Sequence, residues 1–134
     1  MNAYVLDACA LIALLNGEVG GDKLESVFAS GLPVRIAAVN ALEVCYDAVR
    51  RQRSASATHE VLRALERLQV EIIWHITPDV LFKAAEFKAR GRLSLADSLA
   101  LALAVDSEAR LVTADHHEFD VFERDGLDIF EWIR

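Results

Sequence analysis

Cysteine, proline and glycine are scarce in this chain of 134 residues, at 2, 2 and 6. The two cysteines, Cys9 and Cys45, are too few for a disulfide framework or a thiolate zinc site. They read as small buried hydrophobes, reduced in a cytoplasmic protein. Few prolines and glycines beside a hydrophobic fraction of 54% exclude a disordered or low-complexity chain. No apolar run is long enough to span a bilayer, so no membrane partner is expected. The opening stretch MNAYVLDACALIALL has no basic residue and carries Asp7 in its middle, and so reads as no secretory leader. Positive charge is also short, with 14 Lys and Arg against 21 Asp and Glu and a net charge of −7. That excludes an indiscriminate nucleic-acid binder, which needs many cations for phosphates. An enzyme that meets a phosphate through a metal ion stays open.

The length fits one domain, residues 1–134. Short apolar runs at 2–6, 33–37, 70–76 and 110–114 read as strands, and 127–132 as a last edge strand. Between them lie helical patterns at 8–16, 21–31, 38–52, 59–68, 79–91 and 94–109, and a short helix or turn at 116–126. Ser56 or Thr58 is placed to cap the helix from 59, and Pro78 suits a first helical turn. Strands alternating with helices predict an α/β fold, three layers α/β/α around a mostly parallel sheet.

In such a sheet, ligands gather beyond the carboxyl ends of the strands. Asp7 follows the first strand, Glu43 lies early in the helix after the second, and Asp115 follows the fourth within two residues. Asp97 opens the helix before that fourth strand. Each acid also has an ordinary explanation. Asp7 and Asp115 suit helix caps, Ser94-x-x-Asp97 matches a capping box, and Glu43 shares a solvated face with Asn40, Asp47 and Arg50. Their coincidence carries more. Carboxylates gathered at one edge repel one another, and a hard divalent cation such as Mg²⁺ or Mn²⁺ relieves that repulsion. The chemistry that follows is hydrolysis of a phosphate ester.

The ordered segments VLDACAL, NALEV, LADSLALALA and LVTADHHEF resemble a PIN domain over essentially the whole chain. Their size and spacing are similar to the VapC-type toxins of prokaryotic toxin–antitoxin pairs. The resemblance implies four acids that are both catalytic and metal-binding, Asp7, Glu43, Asp97 and Asp115, with Asn40 and Thr113 in support. It implies a Mg²⁺- or Mn²⁺-dependent endoribonuclease that leaves a 5′-phosphate and a 3′-hydroxyl on its RNA substrate. It also implies a homodimer, neutralised by a small cognate antitoxin whose C-terminal segment lies in a groove and reaches the acids. One position departs from the family. Where a hydroxyl residue is common, two residues after the first Asp, this chain has Cys9, whose thiol is a poor partner for a hard cation.

Other residues admit two readings. His116 and His117 flank Asp115 without the spacing of a histidine metal pair, and read as surface loop residues. Arg50, Arg51 and Arg53 form the densest basic cluster, with Lys88, Arg90 and Arg92 the second. Either cluster suits an RNA backbone or a solvated helix end. A haloacid-dehalogenase-type phosphatase would want an Asp where Cys9 stands. A receiver domain would want an acidic pair near the first strand and a Lys after the last. A non-catalytic interaction module of the same fold is the remaining alternative.

Overall fold

The computed structural model describes residues 1–134. Five strands form the sheet: β1 (Ala3–Leu6), β2 (Val34–Ala37), β3 (Val70–Ile73), β4 (Ala109–Thr113) and β5 (Phe130–Trp132). Their order is β3-β2-β1-β4-β5 and every pairing is parallel. The sheet expected to be mostly parallel is therefore wholly so. Seven α-helices flank it: α1 (Ala8–Leu15), α2 (Leu24–Ala29), α3 (Ala38–Gln52), α4 (Ala57–Arg67), α5 (Pro78–Arg90), α6 (Leu95–Asp106) and α7 (His116–Arg124).

Successive strand residues point to opposite faces, and this splits the core in two. Val5 and Leu111 pack with α5, α6 and α7, among them Phe87, Leu101, Phe119 and Phe122. Leu6, Ile36 and Val112 pack with α1 to α4, among them Leu11, Leu24, Val44 and Leu65. Helix α6 is the most enclosed element, with every residue from Ser98 to Ala104 buried. Its alternation of leucine and alanine suits this place, because both favour helix and carry no polar atom into the interior.

Several element ends differ from the sequence expectation. The segment expected as one helix over 21–31 is a 3₁₀ turn, Gly21–Lys23, followed by the short α2. Gly20 fixes the entry to that turn with φ of 95°, and a Cβ there would lie 2.6 Å from the Ile133 carbonyl oxygen. The strand expected over 70–76 ends at Ile73, because its partner β2 ends at Ala37 and turns directly into α3. Ser56 occupies the N-cap position of α4, but its hydroxyl bonds Ser54 at 2.7 Å instead of the helix, and Thr58 caps nothing. Thr77, by contrast, accepts from the Val80 N–H, with Pro78 in the first turn.

Chain order leaves β1 in the centre. The chain runs outward from β1 to β2 and β3, then returns to the other side of β1 with β4. The crevice above the β1–β4 pair is thus the point where the winding reverses, the place where such sheets bind ligands. Leu6 is level with Val112, and the Asp7 N–H donates to the Val112 carbonyl at 3.2 Å, so Asp7 leaves the sheet beside Thr113.

Gln69 and Glu108 turn a helix end directly into a strand with φ of 57° and 52°. This left-handed region costs a non-glycine residue about 1 kcal/mol or more. Gln69 is exposed and its side chain makes no hydrogen bond, so Gln69→Gly is expected to raise the unfolding free energy by about 0.5–1 kcal/mol. Gln69→Val is expected to lower it. Urea titrations of the three proteins check the order.

Candidate active site

Asp7 is the deepest of the acids, at 1% exposure. It caps α1, one carboxylate oxygen accepting from the Ala10 N–H at 2.9 Å. Its other oxygen accepts from the Thr113 hydroxyl. The Cys9 thiol donates to the same carboxylate, at 3.0 and 3.2 Å. Burial pushes the Asp7 pKa up, against the downward pull of these donors. The sequence raised both a capping role and a metal role for Asp7. The cap is observed, and it leaves lone pairs free, since an ionised carboxylate has about four acceptor positions.

Thr113 ties two acids together, since the oxygen that donates to Asp7 also accepts from the Asp115 N–H at 3.0 Å. Asp115 caps α7 through the Glu118 N–H at 3.2 Å. Asn40 is fully buried on α3 and donates to the Ala96 carbonyl at 3.3 Å, holding the first turn of α6. Ser94 caps that helix through the Asp97 N–H at 3.1 Å, which is half of the capping box.

Asp7, Glu43, Asp97 and Asp115 line one cavity of about 300 Å³, with Cys9, Tyr46 and Asp47 on its wall. The fold therefore brings together all four acids singled out in the sequence. Asp97 is pushed up to about 7, first by burial and then by the charges of Asp7 and Asp115. Glu43, the most exposed of the four, is also raised, by partial burial and by Asp7.

Glu118 belongs to this cluster and was not singled out in the sequence. Carboxylate oxygens of Asp97, Asp115 and Glu118 lie within 4.8 Å of one another. Ligands of a hard cation at about 2.0–2.6 Å stand up to about 5 Å apart. These residues therefore fit such an ion in both spacing and donor type. The only signal for Glu118 is its place three residues after Asp115, and that is also the pattern of an ordinary first helical turn.

Cys9 is more engaged than expected. Besides donating to Asp7, its sulfur lies 3.6 Å from the Thr113 hydroxyl and 3.4 Å from the Ala114 N–H. Burial and the Asp7 charge push the thiol up to about 12, so it stays neutral and can donate. It thus takes up the place of a supporting hydroxyl. Both cysteines are free.

The basic residues separate into two groups. Arg50 and Arg51 are ion-paired to Asp47, both at 2.9 Å, and Arg51 also meets Glu18 at 3.4 Å. Arg53 ends α3 in the left-handed region. His116 is exposed but ordered: it stacks on Trp132 at 3.8 Å and bonds Asp120 and the Arg134 carbonyl, both at 2.8 Å.

A family model for the PIN domain matches residues 4–124. No curated protein sequence matches the chain. Among solved structures, a toxin–antitoxin complex from Klebsiella pneumoniae superposes with a TM-score of 0.73 at 20% identity, covering 98% of both chains. DNA-bound VapBC from Salmonella typhimurium gives 0.68 at 15% identity, covering all of both chains. VapC20 from Mycobacterium tuberculosis, a sarcin–ricin-loop-cleaving toxin, gives 0.61 at 22% identity over 81% of this chain and 86% of that one. At these identities the likeness establishes the fold.

The raised pKa of Asp97 gives stability a direction with pH. Between its ordinary value of 3.8 and about 7 the folded protein holds a proton that the unfolded chain releases. Stability without metal therefore falls as pH rises through this window. The melting temperature in chelator is expected to drop by roughly 3–6 °C between pH 5 and pH 8. Asp97→Asn should flatten the profile, and magnesium should restore the wild type at pH 8. A wild-type profile that is flat, or that rises, would contradict the clustered-acid geometry.

Proposed function

The chain belongs to the PIN-domain family, and on that premise we propose that it is a Mg²⁺- or Mn²⁺-dependent endoribonuclease, the toxin of a toxin–antitoxin pair. The observation that carries the proposal is the convergence of Asp7, Glu43, Asp97 and Asp115 on one cavity at the switch point of the sheet. Glu118 closes the group on the α7 side. An all-oxygen, anionic donor set of this kind suits magnesium or manganese. When bound, the ion polarises the phosphoryl oxygen and neutralises charge developing on the leaving group.

The chain's own residues then divide the work. Asp97, Asp115 and Glu118 offer the closest set of oxygens. Asp7 is held in one orientation by Ala10, Thr113 and Cys9, so its remaining lone pairs face the cavity without rotamer freedom to lose. Glu43 sits at the open side with a raised pKa, fit to take a proton from the attacking water at its carboxylate oxygen. Thr113 and Asn40 act through others, the first by linking Asp7 to the Asp115 backbone and the second by holding the start of α6.

Two surfaces support the proposed partners. A groove of about 290 Å³ between α1, α3 and α4 shares Ile12 and Asp47 with the acidic cavity. Its floor is apolar, with Leu15, Val44 and Val61, and Arg51 and Arg67 stand on its sides. It suits an antitoxin segment that runs on toward the acids. On another side, Trp74, Ile76, Leu81 and Phe82 are exposed at 69%, 52%, 61% and 75%. Apolar groups this large, exposed along one short stretch of the chain, suit the face of a homodimer. A cytoplasmic site of action is part of the same proposal; no helix of the chain is long and apolar enough to cross a membrane.

Purified protein is expected to cleave RNA with magnesium or manganese and not with chelator, and Asp7→Asn to lower the rate by about 100-fold or more. The products should carry 5′-phosphates, read by ligation or mass spectrometry. A protein that binds neither ion at millimolar concentration would be an interaction module of this fold instead.

A further inference from the structure

A nuclease site of this composition has an electrostatic difficulty. Asp7, Glu43, Asp97, Asp115 and Glu118 carry up to five negative charges, and one divalent ion leaves a negative balance. An RNA strand presents one charge per phosphate and must approach this centre. The basic cluster at the end of α3 gives little help, since Arg50 and Arg51 are already paired with Asp47 and Glu18, and Arg53 lines neither the acidic cavity nor the one beyond Glu118. The needed cations lie elsewhere.

They stand across Glu118. A cavity of about 500 Å³ opens between the α5–α6 turn and α7, lined by Arg90, Gly91, Arg92, His117 and Glu118. Glu118 therefore faces both this cavity and the acidic cluster. The turn is pressed onto α7: a Cβ on Gly91 would lie 2.8 Å from the Phe122 ring. Arg90 is fixed over Phe87 and Phe122 at 5.7 and 5.3 Å, and meets Glu86 at 3.8 Å. Lys88 is spent on the Leu93 carbonyl at 2.9 Å. Arg92 and His117 remain, both exposed and neither with an ion pair or side-chain hydrogen bond. Arg92 offers five donors in a planar fork suited to phosphate, and an imidazole donates an N–H in either protonation state.

We propose that this cavity is a phosphate subsite of the substrate strand, in which Arg92 and His117 hold a phosphodiester flanking the one at the acidic cluster. The inference rests on the nuclease reading and adds to it the direction in which the strand leaves the acids, across Glu118 toward the α5–α6 turn. Arg92 and His117 are positioning residues for the strand and have no part in the bond-breaking step.

The test uses a short fluorescein-labelled single-stranded RNA. Binding is followed against salt with calcium in place of magnesium, and cleavage with magnesium. Arg92→Ala with His117→Ala is expected to raise KM about 10-fold, to change kcat by less than about 2-fold, and to lower the salt slope by about 0.7 for the lost Arg92 charge. The magnesium-induced rise in melting temperature should match the wild type, which also verifies folding and the acidic cluster. Arg92→Lys should keep the salt slope, since the charge remains. Arg63→Ala, loss of one exposed arginine charge on α4, should alter neither KM nor slope. The subsite is overturned, and the nuclease reading kept, if the wild type cleaves RNA and the double variant retains its KM and slope. It is overturned likewise if Arg63→Ala weakens binding equally. A wild type that neither binds nor cleaves RNA overturns both readings.

Discussion

The Asp7 carboxylate, buried at the end of the central strand, is the constraint on which the rest of the site depends. A charge there is costly unless donors and counter-charge surround it. Three groups from two strand ends converge on it: the first-turn N–H of α1, the Cys9 thiol and the Thr113 hydroxyl. Its charge then reaches outward, and it helps raise the pKa of Cys9, Glu43 and Asp97. One buried carboxylate therefore ties the protonation of the cavity wall together. A cation entering the cavity relieves all of these repulsions at once.

The fold pays for that repulsion in the layers beneath. The β1–β4 pair carries Asp7 and Thr113 at matched level, and on either side of it the core is continuous. Helix α6 delivers Asp97 from its first turn while Ser98 to Ala104 are buried against the sheet and α5. An acid on such a helix cannot retreat from its neighbours without moving a packed element. The cost of gathering acids is thus held by apolar burial far from the cavity, and the acids stay together.

The sequence made most of this readable, for identifiable reasons. Asp7 and Asp115 stand just beyond a strand and Glu43 lies early in the helix that follows one, and strand ends are set by short-range apolar runs. Asp97 depended on the ordered segments as a group, because a helix following a helix gives no edge to reason from. The α3 arginines and the α5–α6 cations were equivalent as sequence. Arg50 and Arg51 are neutralised by Asp47 on their own helix and Arg51 also by the distant Glu18, whereas neither Arg53 nor Arg92 makes an ion pair. Glu118 was missed for the same kind of reason. Its inclusion depends on the first turns of α6 and α7 bringing their carboxylates within 4.8 Å of one another, which no local pattern records.

Cys9 shows how a poor residue for a hard cation is accommodated in such a place. A thiolate would add another negative charge beside Asp7, and the site opposes that form by burial and by that very charge. What remains is a neutral S–H, a weaker donor than a hydroxyl. Its geometry compensates in part, since the sulfur reaches both oxygens of Asp7 and also accepts from the Ala114 N–H. The sulfur is thus engaged by protein groups, and the stronger of the two hydroxyl-type supports falls to Thr113. Softness toward metals matters only for an atom that is offered to one. Here the hard oxygen donors that lie within 4.8 Å of one another are the carboxylates of Asp97, Asp115 and Glu118, and the thiol stands behind them by donating to Asp7.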